Sequence, residues 1–428
     1  MRGARLLDPA TGLDDLLELD VVDGRVAAVG RELSGSADEV IEAPGLWLAP
    51  GFVDLHAHLR EPGQEYKEDI ASGSLAAAAG GFTTLCCMAN TDPVNDSPSV
   101  TEFIRRRAQL AKVRIEVIAA ATRGLKGEIM SEMASLVSAG AVAFSDDGAV
   151  ISSAAVMRRV LEYASGIGRT VIAHCEDLQL RGDGVVHEGC HATVCGLPGS
   201  PAECETIMVA RDLELARLTG ARLHIAHVSA ARSVELIRDA KKAGVRVTAE
   251  VTPHHLSLSD EQIRGYDTNY KMAPPLRAGR DREALREGLA DGTLDCVATD
   301  HAPHAAHEKD VEFEAAPFGV VGLETALPVV LELVREQRMS ALAAIDCLTR
   351  RPARVLGLRA GTLEVGALAD FVLIDPEQLW KVERAHLHSK SKNSAFLGRE
   401  VRGRAVRTWV GGRNVYTLGE AKSCSRVT

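Results

Sequence analysis

The sequence predicts a (β/α)8 barrel with a small β-sandwich formed by the two ends of the chain. Three observations carry that prediction. Eight β-rich runs alternate with amphipathic helical patterns, imidazoles and carboxylates gather at the C-terminal ends of many of those runs, and both chain ends hold short strand-like pieces separated by turns. An open doubly wound sheet would gather its polar groups at one switch point, and no GxGxxG follows the first run. A length of 428 residues suits one large core and a smaller one.

The strand-like runs are "GFVDLHAHL" (51–59), "FTTLCCMAN" (82–90), "VRIEVIAAAT" (113–122) and "AVAFSDDG" (141–148). They continue with "RTVIAHCED" (169–177), "ARLHIAHVS" (221–229), "VRVTAEVTPHH" (245–255) and "LDCVATDHAPH" (294–304). Patterns such as "EIMSEMASLVSAG" and "SVELIRDAKKAG" lie between them and end in Gly, the usual helix stop. The stretch 256–293, with "NYKMAPPLR", reads as a Pro-rich loop before a short helix. The expected domains are a barrel over 50–360 and a β-sandwich from 1–49 with 361–428, whose last dozen residues form a loose tail.

Composition narrows the partners. A net charge of −10 and a pI near 5.8 argue against nucleic acid or an anionic membrane, although local arginines or a metal could still receive an anionic substrate. The charged N-terminal stretch predicts no signal peptide. Ile70 to Thr91 is uncharged and long enough to span a bilayer, but Gly73, Gly80 and Gly81 divide it into helix, turn and strand. Nine cysteines without a CxxC fit a reducing cytosol and a cytoplasmic protein. "CHATVC" (190–195) lacks the usual zinc spacing and reads as a surface loop.

In a barrel the strand ends converge on one mouth. Those ends supply His56 and His58, Asp146 and Asp147, His174, His227, His254 and His255, then Asp300, His301 and His304. Any one of these histidines alone is most often a core imidazole with satisfied hydrogen bonds. Four imidazoles and two carboxylates converging together suit zinc or a similar divalent metal, and exceed the needs of one tetrahedral ion. His56 and His58 share a strand face, because positions i and i+2 point the same way.

"DLHAHLREPG", "FSDDG", "HCED", "HIAHVS", "NYKMAPPLR" and "ATDHAPH" closely resemble dihydroorotases of the amidohydrolase superfamily, in the bacterial group that includes the bacillary enzymes. The likeness spans nearly the whole chain, including "GLPGSPAE", "PFGVVGLET" and "LHSKSKNSAFLG". It implies one or two zinc ions: His56, His58 and Asp300 on one, His174 and His227 on a second. Many superfamily relatives bridge their metals with a carboxylated lysine; in this group an aspartate takes that place, matched to Asp147 rather than its neighbour Asp146. Asp300 is implied as the catalytic proton carrier. Arg60 and Asn90 match positions that hold the substrate's carboxylate, His304 and His58 are further substrate contacts, and Phe318 and Gly319 match a lip over the ring. One departure is Ala273, where relatives commonly carry Asn.

The implied reaction interconverts N-carbamoyl-L-aspartate and L-dihydroorotate in pyrimidine biosynthesis. A homodimer and association with aspartate carbamoyltransferase are compatible with the likeness. Two rivals stand beside it. One is another cyclic amidase, an allantoinase or hydantoinase; allantoinases tend to carry Asn where Arg60 stands. The other is an inactive scaffold subunit for the carbamoyltransferase, which would have lost ligands that this chain keeps.

Overall fold

The computed structural model describes residues 1–33 and 37–419. Eight parallel strands follow one another in space in chain order: Phe52–Ala57, Phe82–Cys87, Arg114–Ala119, Ala141–Ser145, Thr170–Ala173, Leu223–Ile225, Val247–Val251 and Cys296–Val297. Val53, Leu55, Cys86, Met88, Ile118, Ala143 and Ile172 form the apolar interior of the barrel, and Val355 and Leu356 join them. The opposite strand faces, among them Phe52, Leu85, Val117 and Phe144, pack against the surrounding helices.

Local chemistry starts and stops these elements. In Ile70–Gly80, Asp69 caps the helix by accepting from the Ser72 amide at 2.7 Å. Gly81, at φ +91°, turns the chain left-handed into the next strand. The uncharged window therefore divides into helix and strand, and no helix among the described residues is long and apolar enough to cross a membrane.

The eighth strand is shorter than its sequence suggests. Only Cys296–Val297 pairs regularly; beyond it, the Thr299 amide donates to the Asp54 carboxylate at 2.9 Å. The seam to the first strand then closes through the His58 amide on the His301 carbonyl, at 2.8 Å. The seventh strand also ends early, and His254 and His255 lie on the short helix Pro253–Ser257 after it, because Pro253 cannot continue the ladder. "CHATVC" forms a six-residue helix instead of a loop, ended by Gly196 at φ +65°.

The two chain ends meet in a six-stranded sheet. Its spatial order is Arg413–Thr417, Glu400–Val410, Phe371–Lys381, Trp47–Pro50, Arg5–Asp8 and Leu13–Leu16. The hairpin Glu18–Val22/Arg25–Gly30 shares its core through Leu19 and Val26, which cluster with Leu6, Leu48, Leu373 and Trp409. The expected tail falls mostly outside the described residues, although the Leu418 amide still bonds Val406. Eight cysteines are described and all are free.

Candidate metal centre and substrate wall

Six side chains from the ends of four barrel strands and the bend after the eighth meet at the mouth. Asp147 lies at their centre. Its Oδ2 is 3.2 Å from His56 Nε2 and 3.4 Å from His58 Nε2, while its Oδ1 is 3.3 Å from His174 Nδ1 and 3.1 Å from His227 Nε2. Asp300 Oδ1 approaches His58 Nε2 at 3.1 Å and His56 Nε2 at 3.5 Å. Asp146 turns away, accepting from the Thr122 amide at 2.8 Å and from its hydroxyl. Asp300 and His227 are held at φ +45° and +33°, left-handed conformations that cost non-glycine residues energy and gather at functional sites.

The donors fit a cation better than they fit one another. His56 Nε2 is buried and has no aligned hydrogen bond, although Asp147 Oδ2 is 3.2 Å away. His174 Nδ1 and His227 Nε2 face each other at 2.9 Å. Ligand atoms of His56, His58 and Asp300 all lie within 4.8 Å of one another, as do those of His56, Asp147 and His227. Burial would raise the Asp147 carboxyl and lower the His56 imidazole; their mutual attraction outweighs this and drives both the other way. Burial likewise lowers His174, but hydrogen bonds to Asp147 and Glu176 push it up to about 10. The buried carboxylates thus favour positive charge in this pocket, which a divalent metal would supply.

One wall of the mouth carries Arg60, which is 8% exposed. Its Nε donates to the Pro303 carbonyl at 3.2 Å, and a terminal nitrogen lies 3.4 Å from His304 Nε2. Among the described residues no carboxylate comes within ion-pair distance of it, and burial brings its pKa down to about 10 against the longer-range attraction of Asp300, Glu308 and Asp147. His304 Nε2 donates to the Phe318 carbonyl at 2.8 Å, while its Nδ1 has no partner. Gly319 needs its freedom: at φ +128°, an added Cβ would come within 2.7 Å of the Ala302 Cβ and 3.1 Å of His304 Nε2. Asn90 Oδ1 accepts from His58 Nδ1 at 2.7 Å. His254 Nε2 is buried without a partner, and burial pulls its pKa down to about 4.

Comparison with known proteins places this arrangement. Residues 45–233 match the Dihydro-orotase-like family and 202–416 the Amidohydrolase family. The dihydroorotase of Anaeromyxobacter sp. (strain K) is 51% identical over 98% of both chains. The chain belongs to the dihydroorotase family. The dihydroorotase of Geotalea daltonii is also 51% identical, covering 97% of this chain and 98% of its own. Among solved structures, the L-hydantoinase of Arthrobacter aurescens superposes with a TM-score of 0.89 at 27% identity, over 98% of this chain and 96% of that one. The dihydropyrimidinase of Brevibacillus agri shares the fold, with a TM-score of 0.85 at 24% identity. Family and fold mark a cyclic amide hydrolase.

This dihydroorotase-family site has supports that the sequence reading did not single out. Glu250, fully buried, accepts from His56 Nδ1 at 2.7 Å and His224 Nε2 at 3.0 Å, and His224 Nδ1 meets the Thr248 hydroxyl at 2.8 Å. Burial would raise the Glu250 pKa, but the His56 charge and these bonds bring it to about 2. The signal was available: an acid inside the apolar run "VTAEV" needs a partner to be tolerated. His224, Glu250 and Cys296 also lie close together. Both Glu250 oxygens are already engaged there, and burial pushes the Cys296 thiol far up, so these three do not form a separate thiolate site. Asn393, within the quoted "LHSKSKNSAFLG", holds the substrate wall together: its side chain accepts from the His304 amide and donates to the Ala302 and Gly319 carbonyls.

Proposed function

We propose that the chain is a zinc-dependent dihydroorotase, interconverting N-carbamoyl-L-aspartate and L-dihydroorotate in pyrimidine biosynthesis. His56, His58 and Asp300 would hold one ion and His174 and His227 a second, with one Asp147 oxygen facing each pair. When bound, zinc supplies Lewis acidity that acidifies a water and polarises an amide carbonyl. Asp300, kept ionised among the imidazoles, takes the proton of the attacking water and delivers it to the leaving ring nitrogen. In the synthetic direction it returns that proton. Asn90 and Glu250 set the orientation of the two imidazoles of the first strand. His304 and the Phe318–Gly319 lip border the substrate ring.

The observation that carries this reading is Arg60: a buried guanidinium beside the cluster, without a carboxylate partner. Burying an unpaired charge is expensive, so such a group implies a partner on the ligand. Dihydroorotate brings a carboxylate; hydantoin and allantoin do not. Arg60→Met should therefore lose about 2–5 kcal/mol of dihydroorotate recognition, roughly 30- to several-thousand-fold in kcat/KM, with metal content unchanged. Kinetics of both proteins on dihydroorotate and hydantoin, beside elemental analysis, make the test. If the wild type prefers hydantoin, or if Arg60→Met turns over dihydroorotate normally, the cyclic-amidase alternative replaces this one.

A further inference from the structure

The opposite end of the barrel holds a cleft of about 460 Å³ that the catalytic mouth does not share. Its walls are the starts of three barrel strands, at Thr170, Leu223 and Val247, together with Asp295 just before the eighth and the helix Arg350–Leu356. Five arginines line it, at 222, 246, 350, 351 and 354, against two aspartates. Both aspartates are engaged: Asp346 by Arg350 and Arg351, at 2.7 and 2.9 Å, and Asp295 by Lys241 at 2.7 Å. Arg222 and Arg246 each give one donor to a loop carbonyl, of Gly168 and Gly220. Arg354 is exposed, and its guanidinium makes no hydrogen bond or ion pair among the described residues.

Three guanidiniums thus face one concavity without a carboxylate partner, in a chain whose net charge is −10. Their mutual repulsion favours an anion between them, and each retains donors in the planar fork that suits phosphate oxygens. Val247 and Val355 give the same cleft a small apolar surface, and its volume falls within the range of small-molecule sites. We propose that this cleft binds a phosphate-bearing small molecule with a compact apolar body. The phosphate lies against Arg222, Arg246 and Arg354, and the apolar part against Val247 and Val355. The inference is independent of the reaction assigned to the opposite mouth.

Phenyl phosphate is the probe, titrated calorimetrically into the metal-loaded full chain at about 0.15 M salt, where loose counterion attraction is screened. The expected result is saturable binding at one site per chain. The double variant Arg246→Gln/Arg354→Gln should raise Kd about tenfold or more, because charge-assisted hydrogen bonds are lost, while turnover stays unchanged. Arg60→Met should leave that Kd unaltered. Absence of saturable binding overturns the proposal. Binding lost in Arg60→Met but kept in the double variant also overturns it, since the anion would then sit in the catalytic mouth.

Discussion

Replacing Glu250 by Gln separates charge from shape at the base of the metal cluster. The carboxylate accepts from two imidazoles at once, His56 Nδ1 at 2.7 Å and His224 Nε2 at 3.0 Å, and its Oε1 also lies 3.3 Å from the His227 amide. An amide has one oxygen and can serve only one ring as acceptor. With that oxygen toward His56, its NH2 faces His224, which must move its proton to Nδ1 and donate to Thr248. The tautomer at His56 then survives, but the charge that strengthens its bond is gone. With the amide reversed, His56 must carry its proton on Nε2, the atom directed at Asp147 and Asp300. Either outcome weakens metal binding. Loss of such a supporting partner costs about 10- to 100-fold in metal affinity, or roughly 1.4–2.7 kcal/mol. Competition against a chromophoric zinc chelator measures this without reference to turnover, and melting of the metal-free proteins checks the fold. A Glu250→Gln protein that stays folded and holds zinc with wild-type affinity would refute the reasoning.

Two further outcomes follow from the same geometry. Asp147→Ala should lower metal content per chain, whereas Asp146→Ala should keep the metal and cost about 1–3 kcal/mol in urea melts, because it strands the buried Thr122 amide and hydroxyl; the reverse pattern in elemental analysis would exchange their roles. Lys309 is buried against the carbonyls of Thr268, Lys271 and Pro317, and burial lowers its pKa from 10.5 to about 7. Between those values the unfolded chain binds the extra proton, so this residue's contribution to stability rises with pH from about 7 to 10.5 and is least below 7. Wild type minus Lys309→Met stability should increase across that interval, and a flat difference would contradict the buried charge.

Local periodicity made much of the site legible. His56 and His58 share a strand face by alternation alone, and placing carboxylates and imidazoles at strand ends needs only the barrel rule. What escaped was irregular or long-range. The bend that directs Asp300 depends on the Asp54 carboxylate replacing a ladder bond at Thr299, across 245 residues of sequence. His254 and His255 leave the expected strand because the chain turns helical at Pro253.

The sequence by itself determined the barrel, the meeting of the chain ends in a small β unit, the family and the donor types at the mouth. Those follow from residue periodicity and motif chemistry, which act over a few positions. Tertiary structure alone decided that Asp147 divides its oxygens between two histidine pairs, that Glu250 joins His56 to His224, and that Arg60 lies buried without a carboxylate. It also brought five arginines to the far end of the barrel. The physical reason is that hydrogen bonds and charge pairs depend on ångström-scale separations between residues far apart in the chain, and only the packed core sets those separations.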